Sequence, residues 1–83
     1  GAMALSAADA GRVRPVKEQV EDAFLALPGV TGVDIGEVGT VAGIVVYVDP
    51  ATAAADRARV PGEVSGVPVE VRELRIELQG GAS

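Results

Sequence analysis

The chain has no cysteine, no histidine and no tryptophan, and only one phenylalanine, one tyrosine, one methionine and one lysine. Without cysteine there is no disulfide, no thiol nucleophile and no thiolate metal site. Without histidine it also lacks the commonest general base and the commonest neutral metal ligand. Serine is confined to Ser6, Ser65 and Ser83, and nucleophilic catalysis needs a serine beside an activating base. Ser65 precedes Gly66 in a pattern typical of a chain reversal, so it reads as a turn residue. No catalytic residue, no metal ligand set and no cofactor site is expected, and the sequence points to a protein that is not an enzyme.

Charge of one sign is also short. Lysine and arginine total 7 against 12 acids, a formal net charge of −5. Arg12, Arg14 and Lys17 form the only local basic group, and acids follow from Glu18 onward. Phosphate-rich surfaces require basic side chains gathered on one face, so neither nucleic acid nor a membrane is expected as a partner. No apolar run approaches the roughly 20 residues that span a bilayer. The reading is of a soluble domain, in the cytoplasm by preference, although the lack of cysteine suits exported bacterial proteins equally.

The scarcity of aromatic residues constrains the core. A chain of 83 residues has room for one domain and buries only roughly 60% of the surface it exposes when unfolded. Valine, isoleucine, leucine and alanine must fill that interior, with Phe24 as the one large anchor. Gly1-Ala2-Met3 reads as the remnant of a cleaved tag. Residues 1–11 are therefore expected to be a flexible N-terminus, residues 12–78 a single domain, and residues 79–83 a flexible C-terminus.

Val13, Val16, Val20, Ala23, Phe24 and Leu27 recur at spacings of three and four, which predicts a helix with Pro15 in its first turn. Arg14 with Glu18 and Lys17 with Glu21 are placed to pair on its opposite side, and Pro28-Gly29 ends it. Thr31, Val33 and Ile35 then share one face of a strand, and Gly36 to Thr40 reads as a hairpin turn. The next strand, Val41 to Val48, is apolar on both faces, as in a central or doubly covered strand. Asp49-Pro50 predicts the start of a short helix over Ala51 to Arg59, with Asp49 as its cap. A further short strand at Val60 to Val64 and a corner at Ser65-Gly66 lead into the last strand. There Val67, Val69 and Val71 keep one parity while Leu74, Ile76 and Leu78 keep the other, which predicts a bulge, bend or break near Arg72-Glu73.

The order helix, strand, strand, helix, strand(s) predicts an α+β fold: a small two-layer sandwich, ferredoxin-like, with a mainly antiparallel sheet. If helices cover only the Ile44, Val46 and Val48 side, Val45 and Tyr47 form an apolar patch on the other face. Together with Leu74, Ile76 and Leu78 they are the candidate interface. Among polar residues, Asp34, Glu37 and Asp49 are the candidates for a small ligand or a cation, lying on neighbouring strands and their joining turn. Gly29, Gly32, Gly36 and Gly39 do not make a dinucleotide loop, because they lead from a helix into strands.

The runs Leu27-Pro28-Gly29-Val30, Ile44-Val45-Val46-Tyr47-Val48 and Val60-Pro61-Gly62-Glu63-Val64-Ser65-Gly66-Val67-Pro68-Val69 carry a resemblance. They are similar to a small bacterial domain of unknown function, with the pattern LPGV, IVVYV, IPxxIxGVPV, often found beside trypsin-like serine protease domains. The likeness covers about Ala26 to Leu74 and is one of strands and turns. It implies an accessory module and no catalytic residue. A second likeness, to heavy-metal-associated and regulatory ligand-binding domains, rests on the Pro-Gly-Val after a helix; without a Cys-x-x-Cys pair the metal-carrier chemistry is missing. Three functions follow as expectations: a protein-interaction module, binding itself or a protein partner through a sheet edge or the Val45/Tyr47 face; a small-ligand or cation sensor; and a propeptide-like chaperone or inhibitor of a neighbouring protease.

Overall fold

A computed structural model describes residues 7–75. In chain order these form α1 (Ala7–Leu25), β1 (Val30–Val38), β2 (Val41–Val48), α2 (Ala54–Arg57), β3 (Glu63–Val64) and β4 (Val67–Glu73). The strands make one sheet in the order β1-β2-β4-β3. The β1–β2 and β3–β4 pairs are antiparallel and the β2–β4 pair is parallel. This is the α+β sandwich of mainly antiparallel character that the order of elements predicts. The crossover through α2 and β3 makes β4 run alongside β2 in the same direction.

The core lies between α1 and one face of the sheet. Ile44, Val46 and Val48 of β2 are completely buried there, joined by Val13, Phe24, Ala42, Val60, Val67 and Val69. Val16, Val20, Leu27, Val33 and Ile35 pack around them. Val13 and Phe24 lie eleven positions apart, about three helical turns, so one stripe of α1 serves the sheet along much of its length.

Several local details depart from the sequence reading. α1 begins at Ala7, upstream of the expected start, and Pro15 sits inside it. Alanine at positions 7, 8 and 10 favours helix, and Asp9 in the first turn pairs with Arg12 at 3.2 Å. Proline at position 15 removes one hydrogen bond, to the carbonyl of Gly11, and the helix passes through it. Of the two expected ion pairs, Lys17–Glu21 forms at 3.0 Å and Arg14–Glu18 does not.

In β1, Val30 pairs with Val48 and Gly32 with Tyr47, leaving Thr31 as an extra residue. This bulge turns Val30 into the core and leaves Thr31 exposed, correcting the expected alternation of Thr31 with Val33 and Ile35. The hairpin turn is shorter than expected. Val38 pairs with Val41 across Gly39-Thr40, and Gly39 has φ of 66°, the positive first position of a II′ turn. The second hairpin turns on Ser65 (φ 51°) and Gly66 (φ 81°), the two positive angles of type I′.

Asp49 does not cap α2. Its carboxylate accepts the Ala51 N–H at 2.8 Å and its carbonyl accepts the Thr52 N–H at 2.9 Å, closing a separate turn. Ala53 is extended, and the helix begins only at Ala54. β4 shows no bulge: its register with β2 is regular from Val69 to Glu73, and the Leu74 N–H still donates to the Val48 carbonyl at 2.9 Å. The change of parity falls where β4 ends, at Glu73. The second half of that pattern, Ile76 and Leu78, lies outside the described residues.

Candidate functional site

The face of the sheet away from α1 follows from the register. Gly43, Val45 and Tyr47 of β2 stand between Gly36, Asp34 and Gly32 of β1 on one side and Pro68, Glu70 and Arg72 of β4 on the other. Val45 and Tyr47 therefore do share this outer face. They do not form an open apolar patch, because Val45 is only 1% exposed. The correction has two physical causes. First, Gly36 pairs with Gly43, and the sheet closes tightly around them. A Cβ on Gly36 would stand 3.1 Å from Val45 Cγ2, and one on Gly43 would stand 2.6 Å from the Pro68 carbonyl oxygen. Second, the hairpin end of β1 curls toward β4: Arg72 stands beside Tyr47 and Glu37 beside Ala42, well apart along β2, yet Arg72 Nη2 donates to the Glu37 carbonyl at 2.6 Å.

Arg72 is held in that position from its own strand. Its Nε donates to Glu70 Oε2 at 2.8 Å and its Nη2 to Oε1 at 3.4 Å. The bond from Arg72 holds the Glu70 carboxyl below its ordinary value of 4.5, and the bond to Glu70 raises the guanidinium in turn, with a smaller contribution from Tyr47. Tyr47 is half-buried beside them.

The open edge of β1 is the second feature. The Val48 carbonyl points to β4, since it accepts from Leu74, and the Asp49 N–H points the other way, to the Gly29 carbonyl at 2.8 Å. Backbone groups alternate along a strand. Tyr47, Val45 and Gly43 therefore turn theirs to β1, and their partners Gly32, Asp34 and Gly36 turn theirs back to β2. Val33, Ile35 and Glu37 are left with their N–H and C=O groups directed outward, and no described strand pairs with them. Two of these groups are engaged by side chains: the Ile35 N–H donates to Asp34 Oδ1 at 2.8 Å, and the Glu37 carbonyl accepts from Arg72. Among the described residues, the Val33 pair, the Ile35 carbonyl and the Glu37 N–H have no partner strand. At the opposite side of the sheet the edge strand β3 is only two residues long.

The three candidate carboxylates are not brought together. Asp34 lies opposite Val45 on the outer face, Glu37 opposite Ala42 on the α1 side near the hairpin turn, and Asp49 beyond the end of β2. Asp34 and Asp49 each spend an oxygen on a backbone N–H. Among the described residues no group of three or more acids could hold a metal ion. Of the remaining candidate interface residues, Leu74 is 44% exposed, and Ile76 and Leu78 lie outside the described residues. The other exposed large apolar residues, Leu25 at the end of α1 and Val41 at the start of β2, stand apart from it in the chain. Among the described residues no helix is long and apolar enough to cross a membrane.

The sequence reading misses Arg57 altogether. Its Nε donates to the Thr52 carbonyl at 3.0 Å, its Nη2 to the Pro50 carbonyl at 2.9 Å, and its Nη1 to Glu73 Oε2 at 2.8 Å. One guanidinium thus fastens the crossover loop to the end of β4. Two of its acceptors are main-chain carbonyls, which residue types do not reveal. Arg57→Ala is expected to lower stability by about 1–2 kcal/mol in urea unfolding, with m unchanged. Arg57→Lys, which cannot make all three bonds in this fork, should recover less than half of the loss.

Beside this loop lies a shallow cleft of about 390 Å³ lined by Pro28, Gly29, Asp49, Ala51, Thr52, Ala53 and Asp56. Its walls are small side chains, the Thr52 side chain and the two carboxylates of Asp49 and Asp56. No protein-family model, curated protein or solved structure matches the chain.

Proposed function

We propose that this is a non-enzymatic interaction module that binds an extended segment of polypeptide along the open edge of β1. The observation that carries the reading is the outward row of backbone groups at Val33, Ile35 and Glu37, to which no described strand is paired. A strand added there gains main-chain hydrogen bonds, and its alternate side chains lie beside Val33 and Ile35 on the α1 side. Both of those residues are half-buried, so the core is left with an unfinished margin that an added strand would cover. The Val45/Tyr47 face is not the binding surface in this reading, since Val45 is already covered. The resemblance to an accessory domain found beside proteases agrees with a module that carries no chemistry of its own.

The test is a titration of the isotope-labelled domain with synthetic seven-residue peptides in which valine alternates with lysine, threonine or glutamate. Binding by any of them is expected to shift the amide resonances of Val33, Ile35 and Glu37. If no peptide shifts these amides, or if the shifts gather at the cleft around Asp49 and Thr52, the proposal fails.

A further inference from the structure

We infer that the segment accepted by β1 is basic as well as extended: a stretch of another chain in which apolar residues alternate with lysine or arginine. The inference rests on the edge reading above and adds the chemistry of the partner. The side chains that β1 presents on its outer face are Gly32, Asp34 and Gly36 in succession. Asp34 is exposed and is the only charge in that row. The places of the two glycines are taken up by their β2 neighbours, Tyr47 at Gly32 and Val45 at Gly36, so the side chain that a partner strand meets in this row is Asp34, and a long aliphatic stem can lie along it with its cationic end at the carboxylate.

The other face asks for something different. There the added strand lies beside Val33 and Ile35, which pack on the core, and apolar side chains extend that packing. Alternation of apolar and basic residues matches both faces at once.

Charge also decides against a second copy of this chain as the occupant. Neither β1 nor β2 contains a lysine or arginine, while β1 contains Asp34 and Glu37. Two β1 edges placed together would bring acids to an acidic edge, on molecules that each carry a net charge of −5. Arg72 reaches this edge at Glu37 but is matched by Glu70. A cationic partner also has a specific task. The Ile35 N–H is held by Asp34, and a lysine that draws the carboxylate away frees that N–H for a partner carbonyl.

The experiment compares the lysine and glutamate peptides on the native domain and on Asp34→Lys, whose side chain is exposed and whose fold should be intact. The lysine peptide is expected to shift the amides of Val33, Ile35 and Glu37, to bind about five-fold more weakly to Asp34→Lys, and to weaken further with added salt. On Asp34→Lys the preference should reverse toward the glutamate peptide. If threonine or glutamate peptides bind the native edge as well as lysine does, the inference falls while the edge reading stands. It falls in the same way if light scattering shows a concentration-dependent dimer that Asp34→Lys strengthens. If no peptide reaches the edge, both fall.

Discussion

Gly29→Ala is expected to destabilise the domain by about 2–4 kcal/mol, from backbone strain at positive φ together with overpacking. Gly29 has φ of 84°, a conformation that costs any residue with a Cβ. It is also in close contact with Thr52, and an alanine methyl would overlap the hydroxyl and stand 2.6 Å from Thr52 Cγ2 and 2.9 Å from its Cβ. Neither partner is free to retreat. The Gly29 carbonyl accepts the Asp49 N–H, the Thr52 N–H donates to the Asp49 carbonyl, and Arg57 holds the Thr52 carbonyl. The two halves of the effect can be separated with Thr52→Ala. By itself that substitution should be near neutral, because it deletes packing but also removes Thr52 Oγ1, a buried hydroxyl oxygen with no hydrogen-bond partner. Combined with Gly29→Ala it should recover about 1–2 kcal/mol of the loss, the overpacking share, and leave the share that belongs to φ. Urea unfolding of the four proteins checks this. Strict additivity would show that the contact between Gly29 and Thr52 does not limit the substitution.

The features legible in the sequence are those that depend on near neighbours in the chain. The strands β1 and β4 announce themselves by alternation, β2 by an unbroken apolar run, and all three by the glycine-bearing turns beside them. The helix shows its buried stripe from Val13 to Phe24. The absence of histidine and cysteine limits what chemistry the side chains can attempt. The errors of detail are those in which one local preference overrules another. Proline is favoured in a first turn, so Pro15 suggests a helix start, yet the alanines upstream extend α1 back to Ala7. Aspartate before proline suggests a cap, yet Asp49 closes its own turn, and the chain needs further residues before α2 can begin.

The candidate site shows the same division. The parity of Val45 and Tyr47 is readable, and so is the break in the pattern after Arg72. What covers Val45 is not readable, because it depends on the close approach of Gly36 to Val45 and on how far the end of the hairpin curls to bring the Glu37 carbonyl to Arg72. Whether the outward row of Val33, Ile35 and Glu37 is left at an edge depends on whether β4 pairs with β1 or with β2. The parallel β2–β4 pair fixes that, and it is set by the crossover through residues 49–66.

Val45→Asp should be the most damaging single change on the outer face, at a cost on the order of 3–5 kcal/mol, the range for an uncompensated buried charge. An open patch predicts the opposite, since a polar residue on an exposed sheet face costs little. At 1% exposure the aspartate would have no water, and its side chain is too short to reach past the groups that enclose it. Arg72, beside Tyr47, is the cation on this face, but it is already bound to Glu70 and to the Glu37 carbonyl, so neutralising the introduced carboxylate would mean dismantling both contacts. Val45→Ala is the matched control: it removes two methyl groups without adding charge and should cost about 1–2.5 kcal/mol, less than the aspartate. Tyr47→Asp, one step along the same face at a half-buried position, should cost less than Val45→Asp. Set against a total stability of about 5–15 kcal/mol for a domain of this kind, the Val45→Asp protein should show a large fall in its urea midpoint or fail to fold. A stability within about 0.5 kcal/mol of the native one would mean that Val45 is open to water after all, and would return the Val45/Tyr47 face to consideration as a binding surface.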